Sequence, residues 1–135
     1  MPSLLTKRGG AGYSLVVANL IRSLYTDDGA VHYVNVPNQG TLPELPSNTI
    51  VEVPVIARQS QLIPLNTGPL PEYAAPLIQT MAEHYRLLIQ AVRNRSKNQL
   101  RQALLIHPLF GDADMVEEII EELLVVNKGY IAGFR

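Results

Sequence analysis

Apolar residues recur at helical spacing over residues 14–25, where Val17, Leu20, Ile21 and Leu24 fall on one face. Asp27-Asp28-Gly29 then interrupts the pattern and predicts a tight turn. Residues 31–36, rich in Val and Tyr, read as a strand that Pro37-Asn38-Gln39-Gly40 stops. A Pro-rich loop follows through Pro43 and Pro46, and residues 49–57 predict a second strand. Pro54 lies inside that run and has no N–H for a ladder, so the expectation is an edge or bulged strand. Residues 61–65 predict a short third strand.

Helical spacing returns beyond Gly68-Pro69-Leu70-Pro71, from about Glu72 or Pro76 to Arg93. Leu77, Met81, His84, Leu88 and Val92 form one stripe of that helix, with Ile78, Tyr85 and Ile89 beside it. Pro76 suits the first turn, where its missing N–H has no helical partner. Ser96 and Gln99 have the spacing of a capping box, each side chain serving the other's backbone N–H. Leu100, Ala103 and Leu104 carry the next helix toward His107-Pro108. Asp112 or Asp114 caps the last one, whose inward positions are Val116, Ile119, Ile120, Leu123 and Leu124. Glu117, Glu118, Glu121 and Glu122 read as its solvated face, and Gly129 as the residue just past its end. Strands do not alternate with helices, which argues against a parallel nucleotide-binding sheet. The fold class predicted is α+β: one domain over residues 1–135, a small, mainly antiparallel sheet packed with about four helices.

Composition narrows the classes of function. A net charge of −1, from 11 Lys+Arg and 12 Asp+Glu, supplies no basic field for nucleic acid or an anionic membrane. There is no cysteine, which excludes disulfides and thiolate metal sites. No apolar run is long enough to span a bilayer, and no apolar leader follows Lys7 and Arg8, so the expected location is the cytoplasm.

The glycine cluster Gly9-Gly10-Ala11-Gly12 precedes a helix, but Leu15 breaks the G-x-G-x-x-G spacing and no Lys-Ser/Thr follows. A flexible turn explains it on its own. Tyr13 stands at the helix entrance on the face of Val17, Leu20 and Leu24, which favours a core tyrosine. His32, His84 and His107 show no metal-ligand spacing and read as structural, His84 as half-buried in its stripe or as an interface residue. Asn35 and Asn38 flank a strand end, where asparagine bonds its own backbone.

Four segments in order, Lys7-Arg8-Gly9-Gly10-Ala11-Gly12-Tyr13-Ser14, Val34-Asn35-Val36-Pro37-Asn38-Gln39-Gly40, Val51-Glu52-Val53-Pro54 and Ala103-Leu104-Leu105-Ile106-His107-Pro108-Leu109, carry a further signal. Together they resemble the C-terminal domain of the NAD- and metal-dependent glycosidases of family four, most closely the 6-phospho-β-glucosidases. The pattern departs at Gly12, where the family often has a bulkier residue, and at Gln39, where Asn is more usual.

The resemblance implies hydrolysis of a phosphorylated β-glucoside by redox-assisted elimination, the NAD-dependent exception to the two-carboxylate scheme. By the scheme the resemblance implies, NAD would take hydride from C3 of the sugar, a base would remove the C2 proton, and the aglycone would leave from C1. Water would add there, and the hydride would return to the sugar. A divalent metal, manganese as a rule, polarises the C2 and C3 oxygens. The base falls on Tyr13, and Asn38 and Arg8 fall on the substrate side. A phenol loses its proton near pH 10 in water, so a tyrosine base needs a cation beside it. NAD and the metal would be held by the full-length enzyme, with an N-terminal Rossmann domain ahead of these residues. This chain alone is then expected to be inactive and to hold neither. The resemblance also implies a homo-oligomer. The alternatives are a non-enzymatic interaction domain and a related α-glycosidase or uronidase.

Overall fold

The structure, a computed structural model, describes residues 12–58, 60–131, 133 and 134. In chain order it contains α1 (Tyr13–Thr26), β1 (Val31–Pro37), β2 (Ile50–Arg58), β3 (Gln61–Pro64), α2 (Ala75–Asn94), α3 (Lys97–Leu105) and α4 (Ala113–Val126). This is the α+β arrangement expected. The chain gathers into two compact units, Met1–Gly68 and Pro69–Arg135.

The first unit holds a three-stranded antiparallel sheet in the order β1-β2-β3. The Ala57 N–H donates to the Ala30 carbonyl (3.1 Å) and the Asn38 N–H to the Thr49 carbonyl (2.8 Å). Those two rungs set the phase of the ladder between them. His32, Val34 and Val36 turn their backbone groups toward β2, and Val31, Tyr33 and Asn35 turn theirs away. Val36, Val51, Val53, Val55 and Ala57 bury one face of the sheet, joined by Leu42 and Leu45 from the loop.

Pro54 corrects the edge-strand expectation, because β2 is the central strand. Its carbonyl accepts the Leu65 N–H (2.9 Å), so its own missing N–H faces the β3 side on the rung just past Pro64, where that pairing ends. Proline is tolerated where a ladder runs out, and here it does so on one side of a central strand.

α1 departs from the expected inward stripe. Ser23 is its only buried residue; Leu20 and Leu24 are half-buried, while Tyr13, Val17 and Ile21 are exposed. What ties the helix end to the sheet is polar. The Ser23 hydroxyl donates to Asp28 Oδ2 (3.4 Å) and accepts from His32 Nε2 (2.9 Å), since the carboxylate can only accept. Asp28 Oδ1 accepts the Ala30 N–H (3.0 Å), and Asp27 closes the helix in the left-handed region at φ 55°.

In the second unit, the buried rail of α2 runs through His84 and Ala91, with Leu88 half-buried between them. Leu77 and Val92 of the expected stripe are exposed, so that stripe is rotated from the true inward face. His84 is buried, not half-buried, and its Nδ1–H donates to the Ala103 carbonyl (2.7 Å). Ser96 accepts the Gln99 N–H as expected (3.3 Å), but the other half of the capping box is absent. The Ser96 N–H goes to the Ala91 carbonyl (3.0 Å), and the Gln99 amide accepts from Asn94 (2.9 Å). Asp112, not Asp114, caps α4, accepting the N–H groups of Asp114 (2.8 Å) and Met115 (3.2 Å).

Ala91, Leu100, Leu104, Val116 and Ile120 form the core of this unit, with Leu88, Phe110, Ile119, Leu124 and Phe134 packed on it. Leu123 is exposed instead of inward. The acidic side of α4 is only partly a solvated face: Glu117 pairs with Arg101 and Glu121 with Lys97 (2.6 Å), both from α3. Gly129 lies in a turn after α4 without a positive φ, and Asn127 caps the helix.

Candidate functional site

Tyr13 is the first residue of α1. Gly12 takes the N-cap position, and with no side chain to offer, it leaves the helix start uncapped. The Gly12 carbonyl accepts the N–H groups of Leu15 and Val16 (both 3.1 Å). No acidic residue stands in the first turn, so nothing there offsets the partial positive charge of the helix start. The Tyr13 side chain is 70% exposed, which removes it from any core formed by the described residues. Its phenolic oxygen is therefore presented rather than packed.

Asn38 is placed very differently. It is 0% exposed, and its amide is fully engaged by the loop it precedes. Nδ2 donates to the carbonyls of Leu42 (2.8 Å), Leu45 (2.8 Å) and, at longer range, Pro46 (3.3 Å). Oδ1 accepts the Leu42 N–H (2.7 Å). The turn beyond it needs Gln39 at φ 45° and Gly40 at φ 91°. Asn38 thus shapes the loop from inside, and no hydrogen bond joins it to Tyr13. Arg8 lies outside the described residues.

The Ser23–His32–Asp28 network was not legible as a unit, though Asp27-Asp28-Gly29 and a strand histidine were each visible. Serine, histidine and aspartate here do not make a nucleophilic site. The aspartate bonds the serine instead of the histidine, and Ser23 is buried. The Ala30 N–H, ahead of Ser23, Arg22 and Thr26, holds the Asp28 carboxyl below the ordinary aspartate range. Its work is to fix the far end of the helix that Tyr13 begins. A hollow of about 280 Å³ between Ile21, Leu24, Tyr25 and Ser60 also lies toward that far end, away from Tyr13.

The family 4 glycosyl hydrolase C-terminal domain matches residues 2–110. The chain belongs to that family. Over 131 residues it is 38% identical to the 6-phospho-beta-glucosidase BglT of Thermotoga maritima, covering 97% of this chain and 32% of that protein. A probable 6-phospho-beta-glucosidase of Bacillus subtilis is 31% identical over 133 residues, or 98% of this chain and 30% of its own length. The solved structure of the Thermotoga maritima 6-phospho-beta glucosidase with NAD and glucose-6-phosphate superposes with a TM-score of 0.87, covering 96% of this chain and 32% of that one. The chain thus spans about a third of the length of the relatives it matches.

Family 4 implies NAD and a divalent metal, and the described residues fit neither. Among them no group of three or more His, Cys, Asp or Glu is arranged around a metal position. The spacing at 9–15 is not a dinucleotide turn. No helix of the described residues is long and apolar enough to cross a membrane.

Proposed function

We propose that this chain acts as the C-terminal domain, over residues 1–135, of an enzyme that hydrolyses a 6-phospho-β-glucoside, with Tyr13 as the base that removes a proton from the sugar. The observation that carries the proposal is the likeness to the Thermotoga maritima enzyme at 38% identity, a structure with NAD and glucose-6-phosphate bound. The exposed phenol at the uncapped start of α1 supports it: a base must reach its proton, and Tyr13 is free to do so. Asn38 contributes by shaping the 38–49 loop, and Arg8 stays a candidate for the substrate side. In this reading NAD and the metal are held by the dinucleotide-binding part of such an enzyme, which is this chain's partner together with a second copy of itself, and the chain by itself does not carry out the reaction.

A chimera tests this reading. The chain replaces the matching C-terminal third of the Thermotoga maritima enzyme, and cleavage of a chromogenic 6-phospho-β-glucoside is followed. The chimera should turn over the β-linked substrate in preference to the 6-phospho-α-glucoside. A folded chimera with no activity on either would overturn the proposal.

A further inference from the structure

The two edges of the sheet are not alike. β3 runs only from Gln61 to Pro64, and the backbone groups of Leu62 and Pro64 face its outer edge. Pro64 has no N–H, so that edge is blunted. β1 presents the N–H and carbonyl groups of Val31, Tyr33 and Asn35 and the carbonyl of Pro37, and none of these has a backbone partner among the described residues. Residues 31–36 contain no Lys, Arg, Asp or Glu, and the only proline of the strand is its last residue. Two of the usual defences of an edge strand, charged side chains and an internal proline, are therefore missing. Val31 and Tyr33 are 53% and 69% exposed, and at the far end of the strand Ile50, opposite Pro37 on β2, is also exposed.

We propose that β1 pairs antiparallel with β1 of a second copy of this chain, with Tyr33 opposite Tyr33. This rests on the self-association within the function proposed above and names its surface. In that register the two Tyr33 residues exchange N–H and carbonyl, Val31 bonds Asn35 of the second copy, and every open N–H of both strands finds a carbonyl. The exposed tyrosine rings become cross-strand neighbours, the arrangement in which aromatic pairs add to sheet stability. Charge permits it. Glu52, opposite Asn35 on β2, is a carboxylate on the outward face, and its two copies would stand three strand spacings (about 14 Å) across the sheet and four residues (about 13 Å) along it, roughly 19 Å apart and beyond the Debye length at physiological salt. Pairing of identical strands about a two-fold axis is self-complementary, so no specificity pocket is needed.

Sedimentation of the 135-residue chain over a range of concentrations is the test. Wild type should show a reversible dimer. Tyr33→Pro removes an N–H that faces only the open edge, so the β1–β2 ladder survives while dimerisation weakens by at least about tenfold. Tyr33→Glu and Tyr33→Lys should each be monomeric, because like charges then face across the two-fold, and a mixture of the two should dimerise again. A dimer indifferent to all three variants would overturn the edge pairing while leaving self-association in place. A wild type that stays monomeric throughout would overturn both.

Discussion

Replacing Asn38 by alanine removes the side chain that closes the 38–49 loop, and its cost follows from the bonds lost. Three are short: Nδ2 to the carbonyls of Leu42 and Leu45, and Oδ1 from the Leu42 N–H, at 2.7 to 2.8 Å. A typical bond of this kind contributes about 1 kcal/mol net, and a buried partner left unpaired costs about 1–3 kcal/mol. Leu42 and Leu45 are themselves buried, so water replaces the amide poorly. The expected loss is about 3–5 kcal/mol, a large part of the roughly 5–15 kcal/mol that holds a typical protein folded. Asn38→Asp should be at least as damaging, since a carboxylate would face two carbonyls with nothing to donate. The assay is urea unfolding followed by circular dichroism and tyrosine fluorescence, the chain having six tyrosines and no tryptophan. At a slope of about 1.5–2 kcal/mol per molar, the midpoint should fall by roughly 2–3 M. A fall below about 0.5 M would refute the loop-closing role.

The core and the carboxylates make further predictions. Ile120→Ala empties a buried position of the second unit and should cost about 2–5 kcal/mol, whereas Arg101→Ala breaks a solvent-facing ion pair and should cost under about 1 kcal/mol; thermal unfolding of the two variants that reversed this order would contradict the assigned core. Asp28 is held below the ordinary value of 3.8, so the stability it adds is present above that value and lost as pH falls through its lower folded value. Asp28→Asn should therefore flatten the acid limb of the unfolding profile, and parallel profiles for the variant and wild type would count against the network.

Element identity was readable because each transition carries a local chemical mark. Asp27-Asp28-Gly29 ends α1, Pro37 closes β1, and Asp112 opens α4. Orientation was less so. Periodicity places Leu77, Met81, His84, Leu88 and Val92 on a broad apolar surface of α2, but the inward rail is decided by what α3 offers, and the Ala103 carbonyl draws in His84. Pro54 misled for a similar reason: proline excludes one ladder bond, and only the length of β3 shows that this bond is not required. The apolar stripe of α1 shows that the helix suits an apolar neighbour without naming one. At the candidate site, the motif located Tyr13, but a core tyrosine and a presented one share the same spacing. Exposure separates them. Asn38 was marked by its turn, while its saturation by the loop depends on carbonyls several residues away.

Hydrogen exchange at C2 of the sugar in deuterated solvent, compared between the chimera and its Tyr13→Phe form, bears most directly on the role of this domain. The substitution removes one hydroxyl from a side chain that is 70% exposed, so stability should change by less than about 1.5 kcal/mol. Exchange and turnover should fall together by about 10²–10⁴, the range for loss of a general base. Exchange at the wild-type rate in a folded Tyr13→Phe chimera would show that Tyr13 is not the base.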